Sequence, residues 1–150
     1  MDEVKHYEDL EVGREYGSSS VVVTEEDIVE FALRFDPQPF HTDNAAAAGS
    51  VFGRLVASGW HTAALTMRLR VTGELQLAGG WVGLAVEELK WPRPVLPGDV
   101  LQATTTVLEK RESRSMPHRG IIKVRTRTSN QRAEVVFETV SVQIVDRRPG

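Results

Sequence analysis

The segment 36–43 carries the residues of this chain best suited to acid–base chemistry. It reads Asp-Pro-Gln-Pro-Phe-His-Thr-Asp, so that a carboxylate and an imidazole, Asp36 and His41, stand five positions apart. Pro37 and Pro39 restrict the backbone between them, which favours one stable arrangement of the two side chains. A carboxylate and a histidine that share a water molecule can exchange its protons and activate it. The spacing also fits a proline-rich loop in which Asp36 is only a cap and His41 is exposed.

Ser58 and Gly59 could supply the complement to an acid–base pair, which is a site for a developing negative charge. They stand where a helix is expected to begin. The free N–H groups at the start of a helix converge and carry a partial positive charge. Glycine lets a ligand oxygen approach the backbone closely, so the Gly59 N–H is suited to an oxyanion such as that of a thioester carbonyl. Close packing of Gly59 against a strand is compatible with this role.

The remaining histidines are weaker candidates for chemistry. His61 falls on the expected helix and is interpreted as a packed core residue, whereas exposure is expected for His6 and His118. The sequence contains no cysteine, which excludes a thiol nucleophile and a disulfide framework. Neither HxH nor HExxH spacing occurs, so we expect no metal site.

Two predicted helices must position these residues. Thr24 has the character of an N-cap, and the apolar residues that follow recur at the spacing of a core-facing stripe: Ile28, Phe31, Ala32 and Phe35. Pro37 disfavours helical backbone before it and should end this helix. The segment 55–71 is apolar on most sides, which predicts a buried helix that starts near Ser58.

The second half of the chain has the period of strands. Apolar or threonine residues alternate with polar ones in four segments: 82–86, 100–108, 122–127 and 135–145. Helices come first and strands follow, without βαβ alternation, which predicts a single α+β domain over residues 1–150 with an antiparallel sheet wrapped around one long central helix. Such a sheet has a free edge, which pairing across a dimer would cover.

Charge is distributed unevenly along the chain, although the net charge is only −3. Residues 1–50 contain 3 basic and 12 acidic side chains, whereas residues 110–132 contain 8 basic side chains and one acid. This favours a small polyanionic ligand over a nucleic acid, with a solvated strand face as the alternative. No apolar run approaches the length of a membrane span, and no signal peptide is evident, so we expect a cytoplasmic protein without a membrane partner.

The sequence resembles the MaoC-like dehydratases, the hot-dog-fold group that includes the (R)-specific enoyl-CoA hydratases. The resemblance extends over nearly the whole chain and is carried by residues 7–13, 24–32, 36–43, 52–61 and 92–99. Asp36, Pro39 and His41 match the hydratase motif. The chain departs from it at Gln38, where Asn is usual, and at two large residues just before the Asp, Arg34 and Phe35.

The resemblance implies a hot-dog fold and reversible hydration of a trans-2-enoyl thioester. Asp36 and His41 would be the catalytic pair, and the Gly59 N–H would hold the thioester oxygen. We expect Gln38 and Ser58 to contact the substrate.

The basic face of the strand at 122–127 is the predicted meeting point with the phosphates of coenzyme A, through Lys123 and Arg125. The coenzyme A thioester is expected as substrate and no separate cofactor is expected. A homodimer or a higher homo-oligomer is the expected assembly. Two other functions stay open: a hot-dog acyl-CoA thioesterase, and a non-catalytic MaoC-like subunit that binds acyl chains.

Overall fold

A computed structural model describes residues 3–150, in which all the helices precede the four long strands. In chain order the elements are β1 Val4–Lys5, β2 Glu15–Tyr16, β3 Ser20–Val22, α1 Glu25–Phe35, α2 Pro39–Thr42, α3 Asn44–Ala48, α4 Gly59–Val71, β4 Gln76–Leu77, β5 Val82–Lys90, β6 Val100–Glu112, β7 Arg119–Ser129 and β8 Val135–Asp146. None of the helices in this range is long and apolar enough to cross a membrane.

The main sheet is antiparallel and has six strands. Its order is β2-β6-β7-β8-β5, with β3 also paired to β6. The long strands β6, β7 and β8 follow one another as hairpins, and α4 packs on β6 and β8. The Thr66 hydroxyl on α4 lies 2.6 Å from that of Thr128 on β7. The predicted α+β hot-dog arrangement, a sheet wrapped around a central helix, is therefore confirmed. A two-residue parallel pair, β1 with β4, adds to it.

Helix α1 begins and ends where the sequence predicts. The Thr24 hydroxyl accepts the N–H of Asp27, and the helix ends before Pro37. Ile28 and Ala32 are fully buried. The prediction that Phe35 also faces the core is wrong, because Phe35 is 66% exposed. It lies in the last turn, beyond the residues that meet the core, and its ring contacts Phe31.

Helix α4 is less enclosed in the single chain than its composition predicts. Thr62, Thr66 and Leu69 are buried, while Trp60 is 58% and Met67 is 46% exposed. The expectation of burial on most sides is therefore met on one side only. The physical reason is that a single sheet covers one face of a helix and leaves the other face open.

Strand β5 forms one edge of the sheet. It pairs with β8 on one side and has no strand on the other among the described residues. Its apolar side chains are largely exposed, with Val82 at 45%, Leu84 at 52% and Val86 at 60%. A free edge with exposed apolar side chains is the feature that a second chain would cover.

A buried extended segment, residues 55–57, connects the helical part to the sheet and precedes α4. The Val56 N–H donates to the Phe40 carbonyl over 3.1 Å, and the Ala57 N–H donates to the Val95 carbonyl over 2.9 Å. These bonds place the beginning of α4 between the loop that carries Asp36 and the chain that leaves β5.

Candidate active site

Asp36 and His41 are positioned by the ends of two helices. Asp36 is the C-cap of α1, and its N–H donates to the Ala32 carbonyl over 2.8 Å. Pro39 is the first residue of the one-turn helix α2, a position where proline needs no N–H partner. This turn directs His41 back toward Asp36, and the His41 side chain is nearly fully buried. The loop is therefore folded and rigid, and the alternative of an exposed histidine is wrong.

The two side chains meet directly. His41 Nε2 lies 3.3 Å from Asp36 Oδ2. On the other side of the ring, His41 Nδ1 lies 2.7 Å from the Val56 carbonyl oxygen. A carbonyl oxygen can only accept, so Nδ1 carries a proton. In the neutral ring the lone pair is then on Nε2, which faces the carboxylate and can take or return a proton there.

Two further side chains donate to the Asp36 carboxylate. The Ser58 hydroxyl donates to Oδ2 over 2.7 Å, and the Gln38 amide donates to Oδ1 over 2.6 Å. Burial alone would raise the pKa of Asp36, but these hydrogen bonds, together with the charge of His41 when its ring is protonated, outweigh it and hold the pKa below its usual value. Asp36 is therefore ionised at neutral pH and available as a proton acceptor.

Ser58 connects the carboxylate to the beginning of α4. It is the N-cap of that helix, fully buried, and its oxygen accepts the N–H of Trp60 over 3.2 Å while its hydroxyl donates to Asp36. The next residue, Gly59, has no intrahelical acceptor for its N–H, because it is the first residue of the helix. A free donor at a helix start thus lies beside an acid–histidine pair.

Trp91 explains why residue 59 must be small. Its indole N–H donates to the Gly59 carbonyl over 2.8 Å, and a Cβ at position 59 would lie 2.6 Å from the indole ring. Trp91 also meets the ring of Trp60 edge-on at 5.1 Å. The packing role of Gly59 is therefore compatible with the oxyanion role, which stays a prediction, since the indole N–H contacts its carbonyl and not its N–H.

These groups open into one cavity of about 510 Å³. Asp36, Gln38, His41 and Gly59 line it. The remaining walls are mainly apolar and come from α2 to α4 and from the segment 91–95: Phe52, Val56, Ala57, Trp60, Thr62, Trp91, Pro92, Arg93, Pro94 and Val95. The cavity thus combines a proton acceptor, a histidine and a helix start with mainly apolar walls, which suits addition or elimination at an acyl group.

The other predicted site residues lie elsewhere. Lys123 and Arg125 are on the outer face of β7 and do not line this cavity. Lys123 Nζ lies 2.9 Å from Glu87 and 3.7 Å from Glu109, and Arg125 Nε lies 3.2 Å from Glu138. The cations do share one face, as predicted, but acids of β5, β6 and β8 pair with them. His61 is buried and stacks on Phe31, with the ring centroids 4.7 Å apart.

Sequence reasoning missed the wall at 91–95 and with it Trp91 and Arg93. Both line the same cavity as Gly59, which is more than thirty positions away in the chain, so no local spacing reveals them. The signal that was available is a tryptophan followed by two prolines, which is typical of a stiff segment with one aromatic side chain held in place. No group of three or more metal-ligating side chains occurs within residues 3–150.

Comparison with known proteins identifies the family of the chain. The MaoC like domain matches residues 9–143, which is most of the chain. The chain belongs to the MaoC-like dehydratase family. It is 30% identical over 131 residues to the uncharacterised protein YdeM of Bacillus subtilis, covering 87% of this chain and 92% of that protein. It is 40% identical over 65 residues to a mesaconyl-CoA hydratase of Cereibacter sphaeroides, which is 43% of this chain but only 19% of that enzyme.

Solved structures give the same family. A MaoC-like dehydratase from Rhodospirillum rubrum superposes with a TM-score of 0.93 at 49% identity, covering 97% of this chain and 99% of that one. An (R)-hydratase from A. caviae involved in PHA biosynthesis has a TM-score of 0.73 at 27% identity, with 93% and 98% coverage. The MaoC-like members are thus similar to this chain over its whole described fold.

Proposed function

We propose that this protein is a hydro-lyase that reversibly hydrates a trans-2-enoyl thioester, giving a 3-hydroxyacyl thioester of (R) configuration. The observation that carries the proposal is the Asp36–His41 contact of 3.3 Å in a cavity that Gly59, the first residue of α4, also lines. The (R) configuration is suggested by the (R)-hydratases among the structural relatives. The substrate is taken to be a coenzyme A thioester.

In the forward direction a water molecule that contacts both Asp36 and His41 adds to the double bond. Asp36 accepts a proton from the water as its oxygen bonds to Cβ, and the electrons of the double bond move to Cα and the thioester oxygen. The Gly59 N–H and the helix terminus stabilise the negative charge on that oxygen. The Asp36–His41 pair then returns one proton to Cα through His41 Nε2, so that one water has been added and the pair is restored.

The hydrogen bonds of the site fit these roles. Ser58 and Gln38 hold the carboxylate in its ionised form, and the Val56 carbonyl fixes the tautomer of His41. Ser58 and Gln38 neither take up nor release a proton in this mechanism. A thioesterase would use a carboxylate to activate water against the thioester carbon, but it has no need for the proton-returning histidine beside it.

We also propose that the protein acts as a homodimer through strand β5. The free edge of β5 and its exposed side chains Val82, Leu84 and Val86 form a surface for strand pairing. Light scattering at micromolar concentration should report twice the mass of the chain, and a stable monomer would contradict the proposal.

The test of function is a screen of trans-2-enoyl-CoA thioesters that differ in length and branching. We expect loss of the enoyl thioester and formation of the (R)-3-hydroxyacyl-CoA, with the thioester bond intact. Release of free thiol instead would favour the thioesterase, and binding without turnover of any member would favour the non-catalytic subunit.

A further inference from the structure

Arg93 has an unusual place in the catalytic cavity. It is the only arginine or lysine that lines the cavity among residues 3–150, and its side chain is 59% exposed. Pro92 and Pro94 flank Arg93 and restrict the backbone on both sides, so the side chain starts from a well-defined position. An exposed cation on the wall of an otherwise largely apolar cavity marks a place where an anionic part of a ligand would pass.

Arg93 belongs to a small group with an excess of positive charge. Its Nη1 lies 3.1 Å from one carboxylate oxygen of Glu134, and Nε of Arg132 lies 3.1 Å from the other. Within the described chain no other carboxylate lies within 4.0 Å of either arginine. Hydrogen bonds from Asn130 and Arg132 lower the pKa of Glu134, so it carries one negative charge against two positive ones. The two guanidinium groups already bracket one anion and have donors left for a second.

The same arrangement on β7 shows why position matters. Arg125 and Arg127 also share one acid, Glu138, with distances of 3.2 and 3.1 Å. Arg127 is 52% exposed, nearly as much as Arg93. Neither of these arginines lines the catalytic cavity. The two clusters therefore match in chemistry and differ in that only the first contributes a residue, Arg93, to the lining of the cavity.

We propose that Arg93 and Arg132, here named the rim arginines, bind the phosphate next to the pantetheine arm of the thioester substrate. This inference rests on the proposed function. An arginine fork matches phosphate oxygens in geometry as well as in charge, which makes two convergent arginines a suitable phosphate site. Coenzyme A and an acyl-carrier protein both present a phosphate at this point of the arm, so the rim arginines recognise the arm and not the acyl group. Lys123 and Arg125 lie on β7 and are paired with acids of other strands, so they are then not the phosphate site.

The test compares two thioesters of the same enoyl group, one on coenzyme A and one on N-acetylcysteamine, which has no phosphate. Arg93→Ala is the variant and Arg127→Ala is its matched control. We expect Arg93→Ala to raise KM for the coenzyme A thioester about tenfold or more, with little change in kcat, because a contact to a charged group is lost equally in ground and transition states. KM for the N-acetylcysteamine thioester should not change, and Arg127→Ala should match the parent protein on both.

A second measurement separates this inference from the proposed function. Calorimetric binding of coenzyme A alone should weaken about tenfold in Arg93→Ala and stay unchanged in Arg127→Ala. If the parent protein hydrates neither thioester and this difference persists, the hydratase fails and the phosphate site stands. If hydration occurs and the two variants behave alike, or if Arg93→Ala impairs both thioesters equally, the phosphate site is overturned. An enoyl-acyl-carrier protein substrate that is more sensitive to Arg93→Ala than the coenzyme A thioester would identify the carrier as the protein.

Discussion

Two regions of this molecule collect polar groups in opposite ways. At Asp36 two neutral donors and one imidazole converge on a single carboxylate at the wall of a cavity. On the outer face of β7, cations alternate along a strand and are paired with acids of other strands, as Lys123 is with Glu109 on β6 and Arg125 is with Glu138 on β8. The first arrangement leaves an ionised group facing a cavity, whereas in the second three acids, Glu87, Glu109 and Glu138, balance the charges of Lys123, Arg125 and Arg127.

A charge pattern in the sequence does not show whether its charges are free to bind a ligand. A basic strand face is visible in the sequence, but its partners are on strands that are distant in the chain, so its neutralisation is not visible. The Asp36–His41 loop is different because both members and the prolines that hold them are local. A stiff local loop keeps its two side chains together as the sequence predicts. Ion pairs with distant acids, in contrast, can neutralise a binding site that the sequence predicts.

The largest expected effect comes from His41. His41→Ala removes the group that returns the proton and should lower kcat/KM for the preferred enoyl-CoA about 10²–10⁴-fold. The double variant with Asp36→Asn should be scarcely worse than the more impaired single variant, because the two residues act on one water. Steady-state kinetics of the three variants measures this. Additive losses would mean that the two side chains act independently.

Gly59→Ala should have the next largest effect. The new Cβ would lie 2.6 Å from the Trp91 ring, so either the indole or the first turn of α4 must move. We expect a loss of about 1–3 kcal/mol in the free energy of unfolding, measured by denaturant titration, together with reduced kcat. Gly17→Ala is the control, since its nearest neighbour is the flexible end of Glu74 at 3.5 Å. Equal stability of the two variants would contradict the packing described here.

Ser58→Ala should shift the pH dependence of the reaction. The variant loses one donor to Asp36 while the carboxylate stays partly buried, so the pKa of Asp36 should rise toward or above its usual value. Activity that requires the ionised carboxylate should then be lost at a higher pH than in the parent protein as pH falls. Thr24→Ala removes the N-cap of α1 and should reduce stability without moving this acid limb. An unchanged acid limb in Ser58→Ala would show that Ser58 does not act on the carboxylate.

The smallest effect is expected on β7. Lys123→Ala and Arg125→Ala should each leave KM for the enoyl-CoA within about twofold, because exposed ion pairs contribute little and these cations do not reach the cavity. Salt titration of KM in the two variants checks this. A tenfold rise in KM for either would restore the phosphate role that the sequence suggested for the strand.

The fold and the centre of the site could be predicted because their signals are local. Thr24 and Ser58 are helix N-caps, the prolines at 37 and 39 restrict the backbone between Asp36 and His41, and the change of period after Trp81 separates helices from strands. The substrate contacts predicted for Gln38 and Ser58 stay predictions. In the structure both side chains donate to Asp36. The cytoplasmic location also stays a prediction.

The rest could not be predicted because it depends on contacts between distant segments. Trp91 reaches Gly59 across the chain, and Glu134 joins Arg93 to Arg132. The exposure of Phe35 follows from where the core ends, which the helical period does not contain. These are properties of the assembled layers, and only the structure displays them.

The variant Asp36→Asn is the most direct test of Asp36 as the proton acceptor. The substitution keeps the shape of the side chain and removes the proton acceptor. We expect kcat/KM for the best trans-2-enoyl-CoA to fall about 10²–10⁴-fold while the unfolding transition shows that the protein is still folded. Hydration at near the parent rate by folded Asp36→Asn would contradict the account, because the water would then be activated by a group other than this carboxylate.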